Sequence, residues 1–224
     1  MTDNHDAQSD PGRQSRLLEA VLPHVLFDGW SHKAMIKAAE DIGEDITVFD
    51  LAFPNGATDM IRLFVENADD EMEATLANRD VLSLKIRDRI TLAIRVRLEN
   101  YTAHKEAVRL AVNILALPQN AALGLKLTAG TVSRMWWATG DNSTDFNWYS
   151  KRLTLSAVYG ATLLYWLEDK SEGNARTWDF LDRRIENVMQ FETAKYKFRE
   201  RLKEKPDFRH LPSPKRFWRN LTSR

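Results

Sequence analysis

With 224 residues, 43% hydrophobic and 29% charged, the chain can bury the core of one well-packed domain, or of one domain and a small subdomain. It has no cysteine, which excludes disulfides and cysteine-ligated zinc, and no apolar run of 18 residues, which leaves no stretch able to span a bilayer as a helix. Lys and Arg balance Asp and Glu at 32 each, but residues 1–80 hold 6 basic against 17 acidic side chains and residues 81–224 hold 26 against 15, so the two parts present opposite fields to solvent.

Residues 1–14 are polar and mildly acidic, resemble neither a signal nor a transit peptide, and read as a disordered tail. Helical periodicity follows almost without interruption, and no run alternates as a strand would. Leu17/Leu18, Val21/Leu22 and Val25/Leu26 form one stripe that Asp28-Gly29-Trp30 ends. Ser31 caps a second helix with Met35, Ala38/Ala39 and Ile42 on its apolar face, and Gly43 permits a tight turn. Asp45 caps a short third helix over Ile46–Phe53, which Pro54-Asn55-Gly56 stops. A longer fourth helix carries Met60/Ile61, Phe64/Val65, Ala68, Met72 and Leu76 on one side.

Beyond residue 82 the helices lengthen. Ile86, Ile90, Ala93/Ile94, Leu98 and Tyr101 make one stripe, and Val108, Val112 and Leu115 the next. Pro118 breaks the chain, and Asn120 caps a helix running to Trp137. After the Gly140–Ser143 turn, Ser143 or Thr144 starts a helix reaching about Leu167. From Leu153 onward it has no polar side chain larger than Thr or Tyr, which predicts burial on nearly all sides. A last long helix begins at Asn174, and the stretch from Lys203 to Arg224 is basic and proline-punctuated.

Three short helices, a long connecting helix and a larger helical body are similar in layout to TetR-type regulators. A sharper resemblance lies in Gly140-Asp141-Asn142-Ser143-Thr144-Asp145-Phe146-Asn147-Trp148-Tyr149, followed by Arg152, Ala157 and Tyr159, and in Thr177-Trp178-Asp179-Phe180-Leu181-Asp182-Arg183-Arg184. With Gly29-Trp30, Leu115-Ala116-Leu117-Pro118 and Met135-Trp136 at matching spacing, the chain resembles the ninth COQ protein family of ubiquinone biosynthesis. That resemblance implies an all-α, TetR-like fold with a degenerate N-terminal helix-turn-helix and a larger C-terminal ligand-binding body. It also implies a homodimer that binds an isoprenoid lipid and presents it to demethoxyubiquinone hydroxylase at a membrane surface. The expected location is the bacterial cytoplasm, peripherally associated with the inner membrane. The expected divisions are the tail 1–14, a helix-turn-helix unit 15–80 without DNA binding, a lipid-binding and dimerisation body 81–204, and a basic tail 205–224.

Binding of nucleic acid conflicts with charge. A recognition helix needs Lys or Arg for phosphates, whereas residues 40–53 carry Glu40, Asp41, Glu44, Asp45 and Asp50 and no Lys or Arg. The alternative function, a TetR-type regulator sensing an apolar ligand, is weakened for that reason; a scaffold without ligand is a third reading. No catalytic constellation is present: the five His are scattered, and there is no H-E-x-x-H, E-x-x-H, G-x-S-x-G or P-loop. The expectation is therefore no catalytic residue, no metal and no cofactor beyond a bound isoprenoid quinone or other lipid.

Leu155, Val158, Leu163, Tyr165 and Trp166 either line a lipid cavity or fill a core, since both want large apolar side chains; the resemblance implies the cavity. Adjacent Trp148 and Tyr149 point about 100° apart on a helix, so the residues alone suggest one core anchor and one half-exposed ring. The resemblance implies a docking patch of Trp148 and Tyr149 with Met135 and Trp136 nearby. Lys215, Arg216, Phe217 and Trp218 combine cations with an aromatic pair, a composition suited to an anionic membrane surface.

Overall fold

The computed structural model describes residues 11–140 and 147–203, and of these the side chains of 12–140 and 151–190. Among the described residues the elements are α1 (Pro11–Asp28), α2 (His32–Ile42), α3 (Ile46–Ala52), α4 (Ala57–Ala77), α5 (Ile86–Glu99), α6 (Lys105–Leu115), α7 (Ala121–Ala138), α8 (Asn147–Glu168) and α9 (Ala175–Lys203). Short 3₁₀ turns join them at Val81–Ser83, Thr102–His104 and Glu172–Asn174. The periodicity predicted these helices, although α1 already includes residues 11–14, expected in the disordered tail. By internal contacts the chain divides into residues 1–185 and 186–224, so the boundary expected at residue 80 falls inside the first unit.

Local chemistry sets the helix ends. The Ser31 side chain accepts from the Ala34 N–H at 3.3 Å, and Gly43 closes α2 with φ at 69°, a conformation that favours glycine. Asp45 accepts from the Thr47 N–H at 2.8 Å to start α3. Leu17, Leu18, Val21 and Val25 of α1 are buried along with Ala34, Met35, Ala38 and Ala39 of α2, whose small side chains suit close packing. The three-helix unit is tied to the rest through Trp30. Its Nε1 donates to the Ala107 carbonyl on α6 at 2.9 Å, and its ring lies 5.3 Å from Phe64, which stacks on Tyr101 at 5.0 Å.

The start of α9 is organised by one buried carboxylate. Asp169 accepts from the N–H and Oγ of Ser171 at 2.9 and 2.7 Å, and from the N–H and Oγ1 of Thr177 at 2.9 and 2.6 Å. Burial pushes its carboxyl up, but the Thr177 and Ser171 bonds together outweigh this and hold it well below the usual carboxylate range. Phe180 then stacks on Tyr165 at 4.5 Å, and Arg95 lies over the Trp178 ring at 4.9 Å. Thr177, Trp178 and Phe180, conspicuous in sequence, thus fasten the start of α9 to its neighbours.

The expectation for α8 needs correction. Leu155, Val158, Tyr159, Thr162 and Trp166 are buried, but Leu153 is 75% and Leu164 56% exposed, with Ala157, Ala161 and Tyr165 exposed beside them. Residues three and four apart share a helix face, so α8 carries two apolar faces, and among the described residues only one is buried.

Candidate functional site

Helices α4 to α8 enclose a cavity of about 290 Å³. Phe64 comes from α4, Val108, Ala111 and Val112 from α6, Leu127 from α7 and Leu163 from α8. Gly124 lets α7 approach α6 closely: a Cβ there would stand 3.3 Å from the Leu115 carbonyl oxygen. The walls are mostly apolar, interrupted by Arg97, Tyr101, Thr128, Thr131 and Tyr159.

Arg97 is wholly buried. Its Nε donates to Asp69 Oδ1 at 2.6 Å, and Nη2 donates to the Tyr101 hydroxyl at 2.6 Å and the Val65 carbonyl at 3.1 Å. Asp69 Oδ2 accepts from Thr131 Oγ1 at 2.9 Å. These bonds join α4, α5 and α7 around one neutral ion pair. Burial opposes the guanidinium charge, but Tyr101, Tyr159 and Asp69 outweigh it and Arg97 stays protonated. Burial raises the Tyr159 phenol far above its ordinary value, so that hydroxyl stays neutral. One polar atom in this arrangement has no partner: Arg97 Nη1 is buried and makes no hydrogen bond.

Of the five residues expected to line a cavity, Leu163 lines this one. Leu155, Val158 and Trp166 are buried away from it, with Lys105 Nζ 4.8 Å from the Trp166 ring centre, and Tyr165 faces outward against Phe180. Their neighbours Tyr159, Gly160 and Leu164 complete the α8 wall. The polar cluster was missed, although Arg97 falls on the stripe of Ile90, Ala93 and Ile94, and Asp69 directly follows Ala68. A charge on an apolar face was the available signal.

The expected docking patch is also rearranged. Met135 is fully buried and Trp136 nearly so, under Lys151 Nζ at 5.8 Å, whereas Trp137 is 59% exposed. One residue on a helix is a 100° turn, and the burial of Met135 and Trp136 leaves Trp137 outward. Trp148 and Tyr149 belong to the first turn of α8, and their side chains lie outside the described residues. Lys215, Arg216, Phe217 and Trp218 lie outside them as well. On the three-helix unit, Glu40, Asp41, Glu44, Asp45 and Asp50 are all exposed, with Asp41 paired to His24 and Asp50 to His32.

The COQ9 family model matches residues 121–192, from the start of α7 into α9. The chain is 32% identical over 183 residues to the mitochondrial ubiquinone biosynthesis protein COQ9 of Drosophila melanogaster, covering 80% of this chain and 56% of that protein. It is 31% and 30% identical over 201 residues to the proteins of the same name from Rattus norvegicus and Homo sapiens, covering 86% of this chain and 64% and 63% of theirs. The chain thus spans about three fifths of the length of these curated relatives. In fold it is similar to the crystal structure of a TetR transcriptional regulator from Nitrosomonas europaea, with TM-score 0.66, 17% identity and coverage of 80% of this chain and 99% of that one. The expected bacterial cytoplasmic, inner-membrane location is corrected by the same relatives, which are named mitochondrial and come from eukaryotes. The family match crosses two cavity-forming helices, and proteins of one name align with most of the chain: it is similar to the COQ9 proteins of ubiquinone biosynthesis.

Proposed function

We propose that this chain serves ubiquinone biosynthesis as an accessory protein that binds an isoprenoid lipid and presents it to demethoxyubiquinone hydroxylase at a membrane surface, without chemistry of its own. The observation that carries the reading is the apolar cavity between α4 and α8. The names of the relatives supply the pathway, and the family resemblance supplies the hydroxylase. Trp137, with Trp148 and Tyr149, is the proposed contact with the hydroxylase, and Lys215, Arg216, Phe217 and Trp218 with the membrane. The stripe of Leu153, Ala157, Ala161, Leu164 and Tyr165 on α8 supports pairing with a second copy, because an exposed apolar face of this kind favours a partner.

Native mass spectrometry of the purified protein should show a non-covalent apolar adduct that organic solvent removes. A protein that arrives empty and takes up no added isoprenoid quinone overturns the proposal. The TetR-like fold keeps a second reading in view, a regulator sensing an apolar ligand. Exposed acid over residues 40–50 opposes it, since a duplex is held first through its phosphates. Measurable duplex binding at low salt would favour that reading.

A further inference from the structure

One stretch of the chain lacks one sign of charge. One residue in seven is Asp or Glu, yet none occurs from residue 107 to residue 140, and residues 110–125 carry no charged side chain at all. These residues form the hairpin of α6 and α7, and its tip is open to solvent. Ala116, Leu117, Pro118, Ala121, Ala122 and Leu125 are exposed, Leu117 at 44% and Leu125 at 74%. Contiguous apolar surface of this kind marks a place where something binds.

The turn also settles its own polar groups. The Ile114 carbonyl at the end of α6 accepts from the Leu117 N–H at 3.3 Å and from Asn120 Nδ2 at 3.0 Å, and the Leu117 carbonyl accepts from the Asn120 N–H at 2.9 Å. Pro118 has no N–H to satisfy. Surroundings poor in water penalise unpaired backbone groups, so a turn built this way enters them at little cost. Gly124 keeps α7 close against α6 there, since a Cβ would stand 3.3 Å from the Leu115 carbonyl oxygen.

Charge selects the partner. Lys126, next to Leu125, is exposed and is the one charged residue from 110 to 133. A second copy pairing through this face about a two-fold axis would meet the same patch, which has a cation and no carboxylate to match it. An anionic lipid surface suits both features. No acid repels its head groups, the lysine stem can lie along apolar surface with its ammonium among them, and Leu117 and Leu125 can leave water for the acyl boundary. We propose that the tip of the α6–α7 hairpin inserts into an anionic membrane surface, separately from the basic residues 215–218. Val112, Leu115, Ala116 and Gly124 of the same hairpin line the cavity, so insertion brings that wall against the bilayer. The inference rests on the membrane part of the proposed function and adds the surface that makes the contact.

The chain has no cysteine, so a single one introduced into the full chain takes an environment-sensitive fluorophore at one position. Leu117→Cys and Leu125→Cys test the tip, and Leu51→Cys, exposed on α3, is the reference. On vesicles of equal parts phosphatidylcholine and phosphatidylglycerol, the labels at 117 and 125 should shift to the blue and be quenched by lipids brominated along the acyl chain. The label at 51 should do neither. The unlabelled variant Leu117→Glu with Leu125→Glu should lose at least about tenfold in vesicle affinity, because two leucines no longer leave water. A vesicle-bound protein whose tip labels stay in water overturns the inference and leaves membrane contact to residues 215–218. Blue shifts that grow with protein concentration in the absence of vesicles overturn it in favour of a second copy. Failure of the wild type to bind these vesicles overturns the inference together with the membrane part of the proposed function. The tip labels decide the matter even where the glutamate variant fails to fold.

Discussion

Asp69 and Asp169 are both buried carboxylates, and the protein balances them in opposite ways. Asp169 is held by four hydrogen bonds from Ser171 and Thr177, two of them from backbone N–H groups two and eight residues along the chain. Asp69 depends on Arg97 and Thr131, brought from α5 and α7 across the fold, and this arrangement leaves Arg97 Nη1 buried without a hydrogen bond. The first cluster is complete and local, which suits a helix start. The second is long-range and leaves one donor unsatisfied. The contrast separates burial of charge settled within one loop from burial of charge settled between distant helices.

Several substitutions would break or sharpen that contrast. The largest effect is expected for Arg97→Met alone, which strands the Asp69 carboxylate. Breaking a buried pair this way costs roughly 3–5 kcal/mol, so a melting temperature near the wild-type value would show that Asp69 is reached by water. Thr177→Val should come next. It removes one donor from Asp169 with little change of shape, at about 1.5–3 kcal/mol for a bond to a charged group, or about 2–4 °C per kcal/mol in a chain of this size.

The same threonine controls an acid response. The Asp169 carboxyl is depressed in the folded state. Its stabilisation is therefore complete above the unfolded carboxylate value of about 4, and is lost as pH falls through the acid range below that. Urea midpoints measured from about pH 6 down to pH 3 should fall more steeply for wild type than for Thr177→Val. Parallel curves would assign the acid sensitivity to another group. The smallest stability effect is expected for Leu153→Glu on the exposed face of α8, within about 0.5 kcal/mol. Light scattering should nevertheless shift from a dimer toward the 25.9 kDa monomer. An unchanged mass would remove this face from the proposed interface.

Much of the fold was legible because its signals are local. The stripe of Leu17, Val21 and Val25, the Ser31 and Asp45 caps and Gly43 each act within a turn or two of chain, and the structure uses them as the sequence suggested. The absence of basic residues in 40–53 is equally local. The site was less legible. On α8, Leu163 lines the cavity, whereas Leu155, Val158 and Trp166, of the same composition, are buried outside its lining. Met135, Trp136 and Trp137 are consecutive, and nothing in their order says which one is left outward.

The sequence by itself determined an all-helical chain, the position of its helices, the acidic character of residues 40–53 and, through its unusual runs around Trp148 and Thr177, its resemblance to the COQ9 proteins. Tertiary structure alone decided that Arg97 and Asp69, 28 residues apart, form a buried pair, and that a cavity lies beside them. It also decided which apolar face of α8 is buried among the described residues. The physical reason is that amphipathicity records how much apolar surface a helix has, whereas cavities and ion pairs depend on which faces of separate helices meet.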